Sequence, residues 1–106
     1  MPQATIIVEG TFRDGYAKHF AEYSRTVRAY LEKHRGVVLR RQRVTKQLYG
    51  ERKPGHATPD LVMLIDFPDA ETAERIFFAP EYLAIIPLRD TVFADFRMYL
   101  AAFGEI

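Results

Sequence analysis

Five side chains in this sequence have types and positions suited to chemistry: Glu9, Arg41, Asp66, Arg97 and Tyr99, all inside segments that alternate like strands. Two carboxyl groups brought together away from water separate in pKa, because the first charge disfavours the second. The pair then supplies one general acid and one general base. Glu9 and Asp66 fall on what read as adjacent central strands and are the candidates for such a pair. Arg41, Arg97 and Tyr99 would add anion-binding and hydrogen-bonding groups around a small ligand. The competing use is structural, with Glu9 and Asp66 in ion pairs to Arg41 or Arg97 across a subunit contact. On sequence grounds it is the stronger of the two.

Other chemistries lack their residues. The absence of cysteine excludes a disulfide scaffold, a thiolate nucleophile and a thiolate metal site. His19, His34 and His56 do not show the i, i+4 spacing by which one helix face grips a metal, so no metal site is expected. His34 instead suits the free carbonyls at a helix C-terminus. No glycine-rich phosphate loop and no Gly-x-Ser-x-Gly elbow occurs, so phosphoryl transfer and serine hydrolysis are unsupported and no cofactor is expected. Pro80-Glu81-Tyr82 reads structurally, with proline opening a helix, Glu81 near its dipole and Tyr82 packed inward. Arg89 would reach back to a carboxylate such as Glu81 or Asp66.

The elements that must position these groups follow from hydrophobic spacing. In TIIVEGTF, residues 5–12, Ile6, Val8 and Phe12 share one face while Ile7, Glu9 and Thr11 share the other, as in a strand. Tyr16, Phe20, Tyr23, Val27 and Leu31 recur every three or four residues, the seam of an amphipathic helix. Lys18, Glu22, Arg25, Arg28 and Glu32 take its polar side. The helix should end near His34-Arg35, with Gly36 in the left-handed conformation beyond its C-terminus. Val37-Val38-Leu39 opens a second strand through Arg41, Arg43 and Thr45 toward Leu48-Tyr49. Its many charges suit a sheet edge.

Residues 50–59, GERKPGHATP, read as a loop, and Leu61 to Phe67, LVMLIDF, as a central strand. Asp69 is placed to cap the next helix, with Ala70, Ala73 and Phe77 toward the sheet. Pro80 and Pro87 should break the following segment into short helical pieces around 80–86 and 88–93. Asp95 to Phe103 is the last strand. The order β-α-β-β-α-β predicts an α+β, ferredoxin-like domain over residues 1–106, a four-stranded antiparallel sheet with its helices on one face.

With 106 residues, 48% of them apolar, the chain can bury a core of one domain. Its formal net charge of +1 hides an uneven distribution. Residues 33–53 are basic, with Arg40, Arg41, Arg43, Lys46, Arg52 and Lys53 among them, and residues 60–106 are acidic. The segment 33–53 is either a solvated surface or a patch for an anionic ligand or an acidic partner surface. No stretch approaches the roughly 20 apolar residues of a membrane span, and Met1-Pro2-Gln3-Ala4 shows no secretory pattern. The expectation is a cytoplasmic protein without a membrane partner.

If Phe67 faces the helices, so do Ile65, Met63 and Leu61, leaving Val62, Leu64 and Asp66 with Ile7 and Glu9 on the open face. A contiguous apolar patch there is rarely tolerated on a lone soluble domain. A homodimer paired face to face through its sheets would cover it.

The stretch Ile65 to Asp90 (IDFPDAETAERIFFAPEYLAIIPLRD), together with the Gly36 turn, resembles the family catalogued as domain of unknown function 1330. That family carries a similar string after its third strand, and Phe67, Pro68, Ala73, Phe77, Pro80, Glu81, Tyr82, Leu88 and Arg89 fill its places here. The segment between Arg40 and Pro59 is longer and more basic than in the family. The resemblance implies a dimeric α/β barrel, an architecture shared with small monooxygenases and isomerases.

RNA-recognition motifs have the same element order, but their third strand carries a basic-glycine-aromatic signature that residues 60–67 lack. Nucleic acid is therefore not an expected partner, and the basic 40–53 run is the feature that would argue otherwise. The leading expectation is a homodimer binding a small anionic or aromatic metabolite, in a pocket between sheet and helices or between two sheets. The alternatives are a cofactor-independent monooxygenase or isomerase of this fold and a non-catalytic structural or regulatory module.

Overall fold

The N-terminal strand ends up in the middle of the sheet. The computed structural model describes residues 3–50 and 58–102. The loop expected over 50–59 and His56 lie largely or wholly outside those residues. Four strands, β1 (Ala4–Phe12), β2 (Val37–Arg43), β3 (Leu61–Phe67) and β4 (Phe93–Ala102), form one antiparallel sheet in the order β2-β3-β1-β4. Helices α1 (Ala17–Lys33), α2 (Ala70–Ile76), α3 (Pro80–Leu83) and α4 (Ile86–Val92) complete the ferredoxin-like arrangement.

Period-two patterning fixes which face is covered. Ile6 lies between Ile65 and Leu100, and Val8 between Met63 and Met98, all directed toward the helices. Ala4, Ile6, Val8, Ile65 and Phe67 are buried there with Ala73, Ile76, Tyr82, Val92 and Phe93. Each large member of this set contributes on the order of 1.5–3 kcal/mol by leaving water. Tyr30 from α1 donates a hydrogen bond to the carbonyl of Ile76 at 2.5 Å, tying α1 to the end of α2.

Local signals account for most boundaries. The Asp69 carboxylate accepts the Thr72 amide at 2.7 Å and caps α2 as its side chain predicts. Pro80 opens α3. Pro87 lies within the first turn of α4 rather than in a helix interior, so it forfeits no hydrogen bond.

Three details differ from expectation. β2 stops at Arg43, and residues 44–50 form no strand. β4 begins at Phe93, two residues before Asp95. The left-handed residue after α1 is Arg35, at φ 64°, while the amides of Arg35 and Gly36 return to the carbonyls of Glu32 and Leu31. Gly36 is required for a different reason. A Cβ there would come within 2.9 Å of the Phe67 ring, so the absence of a side chain lets the chain pass over the core.

Candidate functional site

An irregularity in β2 decides where the basic residues go. The register to β3 shifts between Val38 and Arg40, leaving Leu39 as the extra residue of a bulge. Before the bulge Val37 is opposite Asp66, and after it Arg40 is opposite Leu64 and Arg41 opposite Met63. Because side chains alternate, Arg40 shares the open face with Leu64, and Arg41 turns to the helix side with Met63 while remaining exposed.

The five residues singled out from sequence therefore do not converge. On the open face, Thr5 and Asp66 are in register, as are Ile7, Leu64 and Tyr99, and Glu9 lies between Val62 and Arg97. Four residues of strand, about 13 Å, separate the Glu9 row from the Asp66 row. That distance rules out the acid and base pair for which they were candidates. Asp66 accepts a hydrogen bond from the Thr5 hydroxyl at 2.7 Å. Arg97 is 3.3 Å from Asp95 on its own strand and in register with Glu9. The open face is thus an aliphatic centre of Ile7, Val62 and Leu64, bordered by Tyr99, Arg40, Gln42 and these charged groups.

Arg41 occupies the opposite face, a correction to its expected place among Glu9, Asp66, Arg97 and Tyr99. Its guanidinium donates to the Ser24 hydroxyl of α1 at 3.0 Å and stands 5.6 Å from the centre of the Phe20 ring. Arg43, two residues on, stands 5.3 Å over Phe12. Behind them lies an aromatic wall. Phe12 stacks on Tyr16 at 3.9 Å, and Phe93 packs between Phe12, Tyr23 and Phe96.

The space between α1 and the β2 edge is open. An outer cleft of about 560 Å³ runs along α1, with Phe20, Ser24, Arg28, Glu32 and Arg41 on its walls. A slot of about 130 Å³ leads inward from it, floored by Val27, Leu31 and Met63 and rimmed by Ser24, Arg28 and Arg41. Neither Arg28 nor Arg41 has a carboxylate partner among the described residues. The sequence reading missed Ser24, Arg28 and Met63 as site residues, having assigned Arg28 to the solvated side of the helix. The available signal was Arg41 and Arg43 two apart on the strand beside an aromatic helix seam.

Titration inside the molecule is shifted mainly at tyrosines. Burial raises the pKa of Tyr23, Tyr30 and Tyr82, so their hydroxyls stay protonated across the physiological range. Burial works against the Arg89 cation, but the Tyr82 hydroxyl at 3.2 Å and the Asp90 carboxylate outweigh it and raise its pKa. Arg89 also stands 4.6 Å over Phe96, so its partners are Tyr82, Asp90 and a ring rather than Glu81 or Asp66. Glu81 pairs with Lys33 at 3.0 Å. His34 packs on Tyr30, and its buried Nε2 makes no hydrogen bond among the described residues. No group of three or more potential metal ligands occurs among them either.

The family model described as Domain of unknown function (DUF1330) matches residues 3–102. The chain belongs to this family. The DUF1330 chain has no match among curated proteins, but solved structures resemble it throughout. A protein of unknown function from Rhodopseudomonas palustris superposes with a TM-score of 0.77 at 15% identity, covering 99% of this chain and 85% of that one. A dimeric protein of unknown function with a ferredoxin-like fold, from Bacteroides fragilis, gives 0.61 at 13% identity, covering 95% and 96%. SnoaB, a cofactor-independent oxygenase from Streptomyces nogalater, gives 0.66 at 13% identity, covering 100% and 97%. At these identities the likeness establishes the ferredoxin-like fold. No helix among the described residues is long and apolar enough to cross a membrane.

Proposed function

We propose that this DUF1330 domain is a homodimeric small-molecule-binding protein whose ligand enters the cleft between α1 and the β2 edge. The observation that carries the reading is Arg41. Arg41 is exposed like the rest of its edge strand, yet a bulge turns it to the helix side of the sheet, onto Ser24 and beside Phe20, at the mouth of an apolar slot.

Binding is favoured over proton-transfer chemistry by what lines the inner cleft. Among the described residues no histidine, aspartate or glutamate lines the slot, and the carboxylate of Glu32 stands on the wall of the outer cleft. A cofactor-independent oxygenase or an isomerase draws support from the likeness to SnoaB, which is a likeness of fold.

Dimerisation rests on the open face. Four strands at ~4.8 Å and seven residues at ~3.4 Å give a face of about 19 by 24 Å, or roughly 900 Å² over two subunits, which supplies most of the ~1,000 Å² a specific interface needs and leaves the remainder to flanking residues. In this arrangement Glu9, Asp66, Arg97 and Tyr99 belong to the subunit contact and Arg41 to the ligand.

Sedimentation at micromolar concentration tests the dimer. Wild type should run as a dimer and Leu64→Asp as a monomer with unchanged far-ultraviolet circular dichroism. A wild-type monomer overturns the assembly. Thermal-shift screening tests the cleft: stabilisation by a small acid should disappear in Arg41→Ala and persist in Arg75→Ala, on the exposed side of α2. Equal loss in both variants removes the cleft from consideration.

A further inference from the structure

We infer that the slot under α1 takes a small monocyclic carboxylate, of the benzoate class, with the ring on Val27, Leu31 and Met63 and the carboxylate on Arg41 and Arg28. This rests on the small-molecule reading above and specifies its ligand. Three observations narrow the chemistry. The first is volume, since an apolar cavity of ~150 Å³ is known to take up benzene, and this slot measures about 130 Å³. One ring fits, and a second would have to lie in the outer cleft.

The second is the division of the lining. Its floor is aliphatic and thioether, against which a phosphate or a sugar would go unsatisfied, whereas its rim is polar. The ligand must therefore be apolar at one end and polar at the other.

The third is charge. Two guanidinium groups, one from the helix and one from the strand, border the same slot without a carboxylate partner among the described residues. A planar carboxylate matches the donor fork of Arg41, whose Cζ stands 5.6 Å from the centre of the Phe20 ring. The Ser24 hydroxyl, now an acceptor from Arg41, can turn its own proton toward a ligand oxygen.

The methionines supply a direct readout. Met63 lies in the slot, whereas Met98 flanks Val8 from the opposite strand, about 10 Å away across the sheet. In protein labelled with 13C at the methionine methyls, benzoate should shift the Met63 resonance through the ring current and leave Met98 nearly unmoved. Benzamide, its neutral isostere, and inorganic phosphate, an anion without a ring, should each bind at least tenfold more weakly. Arg41→Ala should weaken benzoate at least tenfold, and Arg41→Lys, which keeps the charge without the fork, several-fold. Arg75→Ala should leave it unchanged. If benzamide binds as tightly as benzoate, or Arg41→Ala binds benzoate normally, the carboxylate assignment is wrong while the cleft still binds small molecules. If neither ring compound moves Met63 at millimolar concentration, both the assignment and the cleft reading fail.

Discussion

Gly10, near the C-terminal end of β1, offers a direct measure of how tightly the aromatic wall is packed. A Cβ at this position would lie 2.5 and 2.7 Å from two carbons of the Phe93 ring. That ring is 3% exposed and held by Phe12, Tyr23 and Phe96, so it has no free direction in which to withdraw. Overpacking of this kind costs about 1–3 kcal/mol. Restricting the unfolded chain by replacing glycine returns roughly 0.4–1 kcal/mol. The net for Gly10→Ala is a loss of roughly 1–2 kcal/mol, or about 5–15 °C in Tm for a domain of this size.

Urea unfolding followed by circular dichroism, at one fixed protein concentration because assembly contributes to stability, reads the difference. Phe93→Leu should itself destabilise by about 1–2 kcal/mol through lost burial. The clash partner is then gone, so adding Gly10→Ala to Phe93→Leu should cost less than ~0.5 kcal/mol more. A Gly10→Ala variant as stable as wild type, or strictly additive effects in the double variant, would refute the packing argument.

Two further expectations concern the ends of the helices. Asp69 has its pKa lowered by the hydrogen bond from the Thr72 amide and by the Thr72 hydroxyl. Its stabilising effect is therefore complete above the ordinary aspartate pKa and is lost as pH falls through the lowered value. Asp69→Ala should destabilise at neutral pH, with the gap from wild type closing on acidification, and an unchanging gap across that pH series contradicts the cap. Arg35 holds a left-handed conformation that costs a side-chain-bearing residue about 1 kcal/mol. Arg35→Gly relieves it and should raise stability by up to about 1 kcal/mol in the same urea assay, whereas a loss of stability would show that the Arg35 side chain outweighs the strain.

Much of the fold was legible because it depends on short-range patterns. Ile6 and Val8 alternating with Ile7 and Glu9 identified β1 and its buried face, and the spacing of Phe20, Tyr23, Val27 and Leu31 identified α1. Asp69 and Pro80 marked helix starts that the structure retains. The candidate site was less legible because it depends on register. Glu9 and Asp66 do lie on neighbouring strands, but nothing local states that Glu9 meets Val62 and Asp66 meets Thr5. For Arg41 the decisive feature is one extra residue at Leu39, which reverses the facing of β2 on either side of it. A strand of seven exposed residues carries no hydrophobic alternation from which that reversal could be inferred. Gly36 shows the same contrast, since the turn was predictable and the Phe67 ring beneath it was not.

The central position of β1 also bears on how the protein is made. Ile6 finds its neighbours in Ile65 and Leu100, both far later in the chain. At roughly 5–20 residues per second, ribosomal synthesis leaves an apolar strand without its outer partner for on the order of ten seconds. Only β2 and β3 are adjacent in both sequence order and space, and they form the half of the sheet that ends in the fully exposed strand β2. Pairing on the outer side of β1 therefore awaits the last strand. Loss of the β4 segment would remove one side of β1 and strand its apolar residues, instead of merely shortening the sheet by an edge.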